Sequence, residues 1–142
     1  MMQRRDFLKN CSLFYATGIG VAILTESCGS IYYASSKKDE GKIIVKKNEF
    51  IDTNKVIRKF VVIRPEKLQF PICIYKNENE YNALYMQCTH QGCELQPNKS
   101  FLVCPCHGSE FSNTGKVQSP PADSDLKQFK INTDNENIYI QL

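Results

Sequence analysis

From residue 42 onward the chain alternates short apolar runs with clusters of turn-forming residues. The runs, rich in Val, Ile, Tyr and Phe, are residues 42–47, 57–63, 70–75, 81–88, 101–104, 127–132 and 138–142. Between them stand Arg64-Pro65-Glu66-Lys67, residues 77–80, Pro97-Asn98 and Asp134-Asn135. β-Branched and aromatic side chains suit a pleated surface, and Pro, Gly, Asn and Asp interrupt it. No stretch after residue 41 keeps an apolar period of 3.6 over ten positions, the mark of an amphipathic helix. The pattern predicts an all-β body spanning 42–142, arranged as a sandwich or a small barrel-like stack. Cys73, inside the apolar Pro71-Ile72-Cys73-Ile74, reads as a buried core thiol.

The segment ahead of the body differs in kind. Residues 29–41, GSIYYASSKKDEG, turn small and polar after Tyr33 and read as a linker. Residues 1–28 begin with the basic MMQRRDFLK and continue in an apolar run from Cys11 to Thr25. A basic start and a short apolar core form an export signal. The run is shorter than the roughly 20 residues that span a bilayer as a helix. Arg4-Arg5-Asp6-Phe7-Leu8-Lys9 resembles the twin-arginine signal, with Gln3 where that signal prefers Ser or Thr. That route exports proteins already folded, so a metal cofactor can be inserted before export. Cys28 ends the run in Leu24-Thr25-Glu26-Ser27-Cys28 and is a candidate lipidation site, although Thr25 and Glu26 depart from the usual lipoprotein box. The alternatives are an uncleaved signal anchor or a cysteine without special chemistry, the reading given to Cys11. Each places the body on the outer, periplasmic face of a bacterial cytoplasmic membrane, tethered to it.

Composition narrows the function. A length of 142 residues suggests one domain with an appendage. A net charge of +3, with no arginine-rich run and no aromatics on a basic strand, sets nucleic-acid binding aside. Seven cysteines are many, five lie between Cys73 and Cys106, and both histidines of the chain fall in that stretch. No serine–histidine or paired-carboxylate arrangement points to independent catalysis.

The chemistry concentrates in Cys88-Thr89-His90-Gln91-Gly92-Cys93 and Cys104-Pro105-Cys106-His107-Gly108-Ser109. Each stretch offers a cysteine and a histidine at close spacing, with 13 residues between His90 and Cys104. Two thiolates and two imidazoles form a four-ligand metal set that suits zinc or an iron–sulfur centre. Cys93 and Cys106, read as occupying matching places in the two loops, favour iron–sulfur, since zinc has no use for them.

C-T-H-x-G-C followed by C-P-C-H-G-S resembles the double signature of Rieske [2Fe–2S] proteins, and the likeness spans roughly residues 42–142. The resemblance implies stacked antiparallel sheets carrying a cluster-binding subdomain of two loops and one Rieske [2Fe–2S] cluster. It implies that Cys88 and Cys104 bind one iron, that His90 and His107 bind the other, and that Cys93 and Cys106 form a disulfide clamping the loops. An oxidising compartment suits that disulfide. Two ferric ions, two sulfides and four thiolates carry a net double negative charge; two neutral imidazoles in place of two thiolates remove it. Reduction is then easier, and Rieske centres reach about −150 to +300 mV against about −400 mV for plant-type ferredoxins. Ser109 matches the family position whose hydroxyl bonds a cluster sulfide, which favours the reduced form. Phe111 stands where high-potential members often carry Tyr, which implies one hydrogen bond fewer and a lower potential. Ser119-Pro120-Pro121-Ala122 resembles the family's loop that covers the cluster, and Gly92 and Gly108 read as points of tight backbone approach.

By resemblance, the function implied is electron transfer within an oxidoreductase complex rather than catalysis by the chain alone. The first reading is the iron–sulfur subunit of a quinol-oxidising cytochrome bc-type complex. Its donor is a quinol at a cytochrome b subunit, its acceptor is a cytochrome c-like protein, and the linker lets the head swing between them. The alternatives are the Rieske subunit of another periplasmic oxidase, or a Rieske ferredoxin serving an oxygenase. An oxygenase itself requires a second iron site with two further histidines.

Overall fold

The structure, a computed structural model, describes residues 31–78 and 80–142. The twin-arginine-like start, Cys11 and Cys28 lie outside the described residues. Twelve strands are formed among those described: β1 (Ser36–Asp39), β2 (Lys42–Lys46), β3 (Phe60–Ile63), β4 (Ile72–Asn77), β5 (Glu80–Tyr85), β6 (Gln96–Pro97), β7 (Phe101–Val103), β8 (Glu110–Ser112), β9 (Val117–Ser119), β10 (Gln128–Phe129), β11 (Ile131–Thr133) and β12 (Asn137–Gln141). The described helical element is a 3-10 turn, Lys47–Phe50. The chain is all-β, as its apolar pattern predicts.

The strands make three four-stranded sheets, ordered β1-β2-β12-β11, β10-β5-β4-β3 and β6-β7-β8-β9. The pairings within these sheets are antiparallel. The middle sheet is packed on both faces. Val61, Ile63, Ile72, Ile74 and Ala83 join a core shared with Ile43, Val45, Ile138 and Ile140 of the first sheet. Val62, Cys73, Tyr75 and Leu84, the alternate positions of the same strands, join a core shared with Leu102 and Phe111 of the third. Successive side chains along a strand point to opposite faces, so a sheet buried on both sides reads as an unbroken apolar run. That accounts for Val61-Val62-Ile63 and Ile72-Cys73-Ile74-Tyr75. Cys73 is fully buried in the second core, and burial pushes its thiol well above the ordinary range, as suits an inert packing group. The Tyr75 hydroxyl lies 2.7 Å from the Phe101 carbonyl and 2.9 Å from that of Asn98, pinning the middle sheet to the third.

Two expectations are corrected. Residues 31–41 do not form a free linker. Tyr33 bridges Val62 in parallel, the Ala34 amide donates to the Val62 carbonyl at 2.8 Å, and β1 pairs along its length with β2. β1 is exposed at all four positions, so no apolar alternation marks it as a strand. The part of the predicted linker that lies among the described residues therefore belongs to the fold. The run 127–132 is two strands: Phe129 pairs with Ala83 in the middle sheet and Ile131 with Ile140 in the first, with Lys130 at the crossing.

Candidate metal centre

The two cysteine–histidine stretches are loops at one end of the second core. The first joins β5 to β6 and the second joins β7 to β8. Both close on the same backbone pattern. The Cys88 amide donates to the Cys93 carbonyl at 2.9 Å, and the Gly92 amide donates to the Cys88 carbonyl at 2.9 Å. In the second loop the Cys104 amide donates to the Ser109 carbonyl at 2.8 Å, and the Gly108 amide to the Cys104 carbonyl at 2.9 Å. Gly92 and Gly108, the fifth residue of each loop, have φ of +73° and +80°. This is the left-handed region in which a side chain is strained, so glycine serves the turn itself.

The shared frame corrects one reading. Aligned on their hydrogen bonds, the loops place Cys93 opposite Ser109 and Cys106 opposite His90. Cys93 and Cys106 do not occupy matching places; the turn glycines set the register. They are nevertheless joined, and the Cys93–Cys106 disulfide ties one loop to the other across 13 residues of sequence. The Cys104 Sγ lies within 4.8 Å of both disulfide sulfurs.

Burial divides the four candidate ligands into two pairs. Cys88 and Cys104 are each only 2% exposed. His90 and His107 are exposed, their ring centroids 5.0 Å apart with planes at 81°. Burial raises the Cys88 thiol above its ordinary value; hydrogen bonding to the backbone at His90 and Gln91 opposes the rise and the neighbouring Cys104 sulfur adds to it.

A third loop, between β9 and β10, closes over the first two. It contains the cis Pro120–Pro121 bond. The Ala122 amide donates to Ser109 Oγ at 3.0 Å, and Thr89 Oγ1 donates to the Ser124 carbonyl at 2.7 Å. Ser109 is fully buried, and among the described residues no hydrogen bond takes its hydroxyl hydrogen. Phe111, from β8, is sealed in the second core opposite Leu102. Sequence reading passed over Thr89, whose signal is its place between two candidate ligands.

A family model described as the Rieske [2Fe-2S] domain matches residues 39–130. The chain belongs to the Rieske [2Fe–2S] domain family. Among similar proteins, the cytochrome b6-f complex iron-sulfur subunit of Prochlorococcus marinus is 42% identical over 55 residues, 37% of this chain and 31% of that protein. The chain thus spans about a third of the length of the curated relatives of this kind. The cytochrome b6-f complex iron-sulfur subunit 1 of a Nostoc species is 26% identical over 98% of this chain and 84% of its own length. Among solved structures, the plasma membrane Rieske protein PetC3 of Synechocystis superposes with a TM-score of 0.53 at 32% identity, over 59% of this chain and 87% of that one.

The cofactor of a Rieske domain is one [2Fe–2S] cluster, and this site fits it. Two buried thiols and two exposed imidazoles converge on one end of the fold, the mixed donor set that separates Rieske centres from all-cysteine ones. The Ser109 hydroxyl retains a hydrogen to donate there. Gly92 and Gly108 keep side chains out of the turns that carry the candidate ligands.

Proposed function

We propose that Cys88 and Cys104 hold one iron and His90 and His107 the other. We further propose that the chain is an exported, membrane-tethered electron carrier, the iron–sulfur subunit of a quinol-oxidising cytochrome bc-type complex. When bound, the cluster accepts and returns one electron. The observation that carries the reading is the disposition of the four candidate ligands: both imidazoles lie side by side and exposed, while both thiols are buried. Exposed imidazole edges are where a partner can approach closely. Oxidising a quinol releases a proton with the electron, and the exposed histidine pair places a proton-accepting side chain type at the surface. The Cys93–Cys106 disulfide holds the two loops in register, and the Ala122–Ser109 and Thr89–Ser124 hydrogen bonds hold the covering loop down, keeping water from the sulfurs. The cytochrome b6-f names of the relatives support a cytochrome b partner. The plasma-membrane origin of PetC3 supports a membrane location; the outer face, residues 1–28 as signal or anchor and a cytochrome c-like acceptor rest on the sequence and the resemblance.

The test is metal analysis and redox titration of protein matured with its cluster. Equal iron and acid-labile sulfide, a rhombic electron paramagnetic resonance signal on reduction, and a potential within about −150 to +300 mV that falls as pH rises are expected. Cys88→Ala and His107→Ala should each remove that signal; a signal that survives either substitution overturns the ligand assignment. Co-purification with a b-type cytochrome from membranes tests the complex.

A further inference from the structure

One face of the domain carries large apolar side chains with nothing packed over them. Between the 3-10 turn and β3 the chain doubles back. Ile51 and Ile57 pair as an antiparallel bridge, and Asp52 Oδ1 accepts the amides of Asn54 and Val56, each at 2.8 Å. Ile51, Val56 and Ile57 are left 52%, 60% and 58% exposed. Tyr32 lies at the base of this loop: the Arg58 guanidinium sits 3.9 Å from its ring centroid, and its hydroxyl donates to Glu49 Oε2 at 2.6 Å. Asp52 is engaged by its own loop and Glu49 by Tyr32, while Lys59 also lines a surface pocket with Lys76, Glu78 and Glu80. Lys55, Arg58 and Lys59 form no salt bridge among the described residues. The result is an apolar knuckle bordered by a tyrosine and three cations.

That composition suits one kind of partner. Aliphatic side chains enter the acyl boundary, tyrosine sits at the headgroup level, and lysine and arginine meet anionic headgroups. The chain itself brings the face to such a surface. The apolar run of residues 11–25 ends six residues before Ile31. At full extension that stretch reaches about 20 Å. Lipidation at Cys28 would shorten the reach further. Tyr32, the first side chain of the domain fixed to this face, cannot lie far from whatever holds the run.

We propose that Ile51, Val56 and Ile57, with Tyr32 and the flanking Lys55, Arg58 and Lys59, form a docking surface for an anionic lipid bilayer. Docking holds the domain against the membrane and so restricts its orientations. The proposal rests on the reading of residues 1–28 as a membrane anchor.

The chain contains no tryptophan, so Ile57→Trp supplies a single fluorophore at the knuckle. Lys99→Trp, in the exposed turn between β6 and β7, supplies the control. Each full-length, cluster-loaded variant is placed with vesicles of phosphatidylglycerol bearing brominated acyl chains. The Ile57→Trp reporter should be blue-shifted and quenched several-fold more strongly than the Lys99→Trp reporter. Lys55→Glu together with Lys59→Glu, or a change to phosphatidylcholine, should reduce that quenching. If the chain sediments with vesicles but the two reporters are equally water-exposed, the docking surface is overturned while the anchor stands. If the chain does not sediment with vesicles, the anchor reading fails and the proposal falls with it. Shielding at position 57 that requires a cytochrome b subunit assigns the face to a protein and also overturns the proposal.

Discussion

Phe111 is a phenyl ring closed into the second core, at the position where the resemblance implies that high-potential members carry a tyrosine whose hydroxyl bonds a ligand sulfur. Such a bond favours the reduced, more negative state. Phe111→Tyr is expected to raise the midpoint potential by about 40 mV, the equivalent of a bond of about 1 kcal/mol for one electron. Redox titration checks it, and an unchanged or lower potential would count against the role given to this position. At this scale the sequence is informative where an atom has no substitute. Ligation and cross-linking demand sulfur or imidazole, so Cys88, His90, Cys93, Cys104, Cys106 and His107 stand out in the chain, and the structure gathers them at one end. Hydroxyl groups do not announce themselves in this way. Thr89 meets its acceptor 35 residues away and Ser109 meets its donor 13 residues away, and only the fold brings those partners together. The alignment of Cys93 with Ser109 was hidden for a related reason: it depends on which amides close each turn.

Elements were legible in proportion to their apolar content. β2, β3, β7 and β10 lie within predicted runs, while β4, β5, β11 and β12 overlap theirs and extend one or two residues beyond them. β1, β6, β8 and β9 were not read as strands: β1 is polar and exposed throughout, β6 has two residues and ends on a proline, and β8 and β9 have three residues each. The hairpin of β11 and β12 shows how a turn predicted only from Asp134-Asn135 is secured. Asp134 Oδ1 accepts the amides of Glu136 and Asn137 at 2.8 and 2.6 Å, and Oδ2 accepts the Tyr139 hydroxyl at 2.6 Å. The Tyr139 hydrogen bond first, and then those amides, hold the carboxyl well below its usual range. A carboxyl depressed by folding stabilises the native state above its unfolded value of 3.8 and loses that contribution as the pH falls toward the depressed native value. Asp134→Ala should therefore lower the midpoint of thermal unfolding at pH 7, and the gap to the parent should narrow as acid is added below about pH 4. A gap independent of pH would show that the carboxylate is not what secures the turn.

At the scale of the molecule, three sheets share two cores, and the cluster loops hang on the second while the chain from the proposed anchor joins the first. Leu84 lies in the middle sheet with its side chain in the second core, and it is fully buried. Leu84→Ala is expected to lower stability by about 2–5 kcal/mol, since a cavity opens where neighbours collapse only partly. Calorimetry should show one transition moving down as a whole; two resolved transitions would mean that the cores unfold separately. The stitching of residues 31–41 onto β2 and β3 shortens the tether that the linker reading had allowed. On the proposed reading of residues 1–28 as an anchor, donor and acceptor would both come to a head that stays put, a fixed relay post rather than a shuttle. The sandwiched sheet has a parallel effect on failure: a partition common to both chambers is expected to make the redox end and the opposite end give way together.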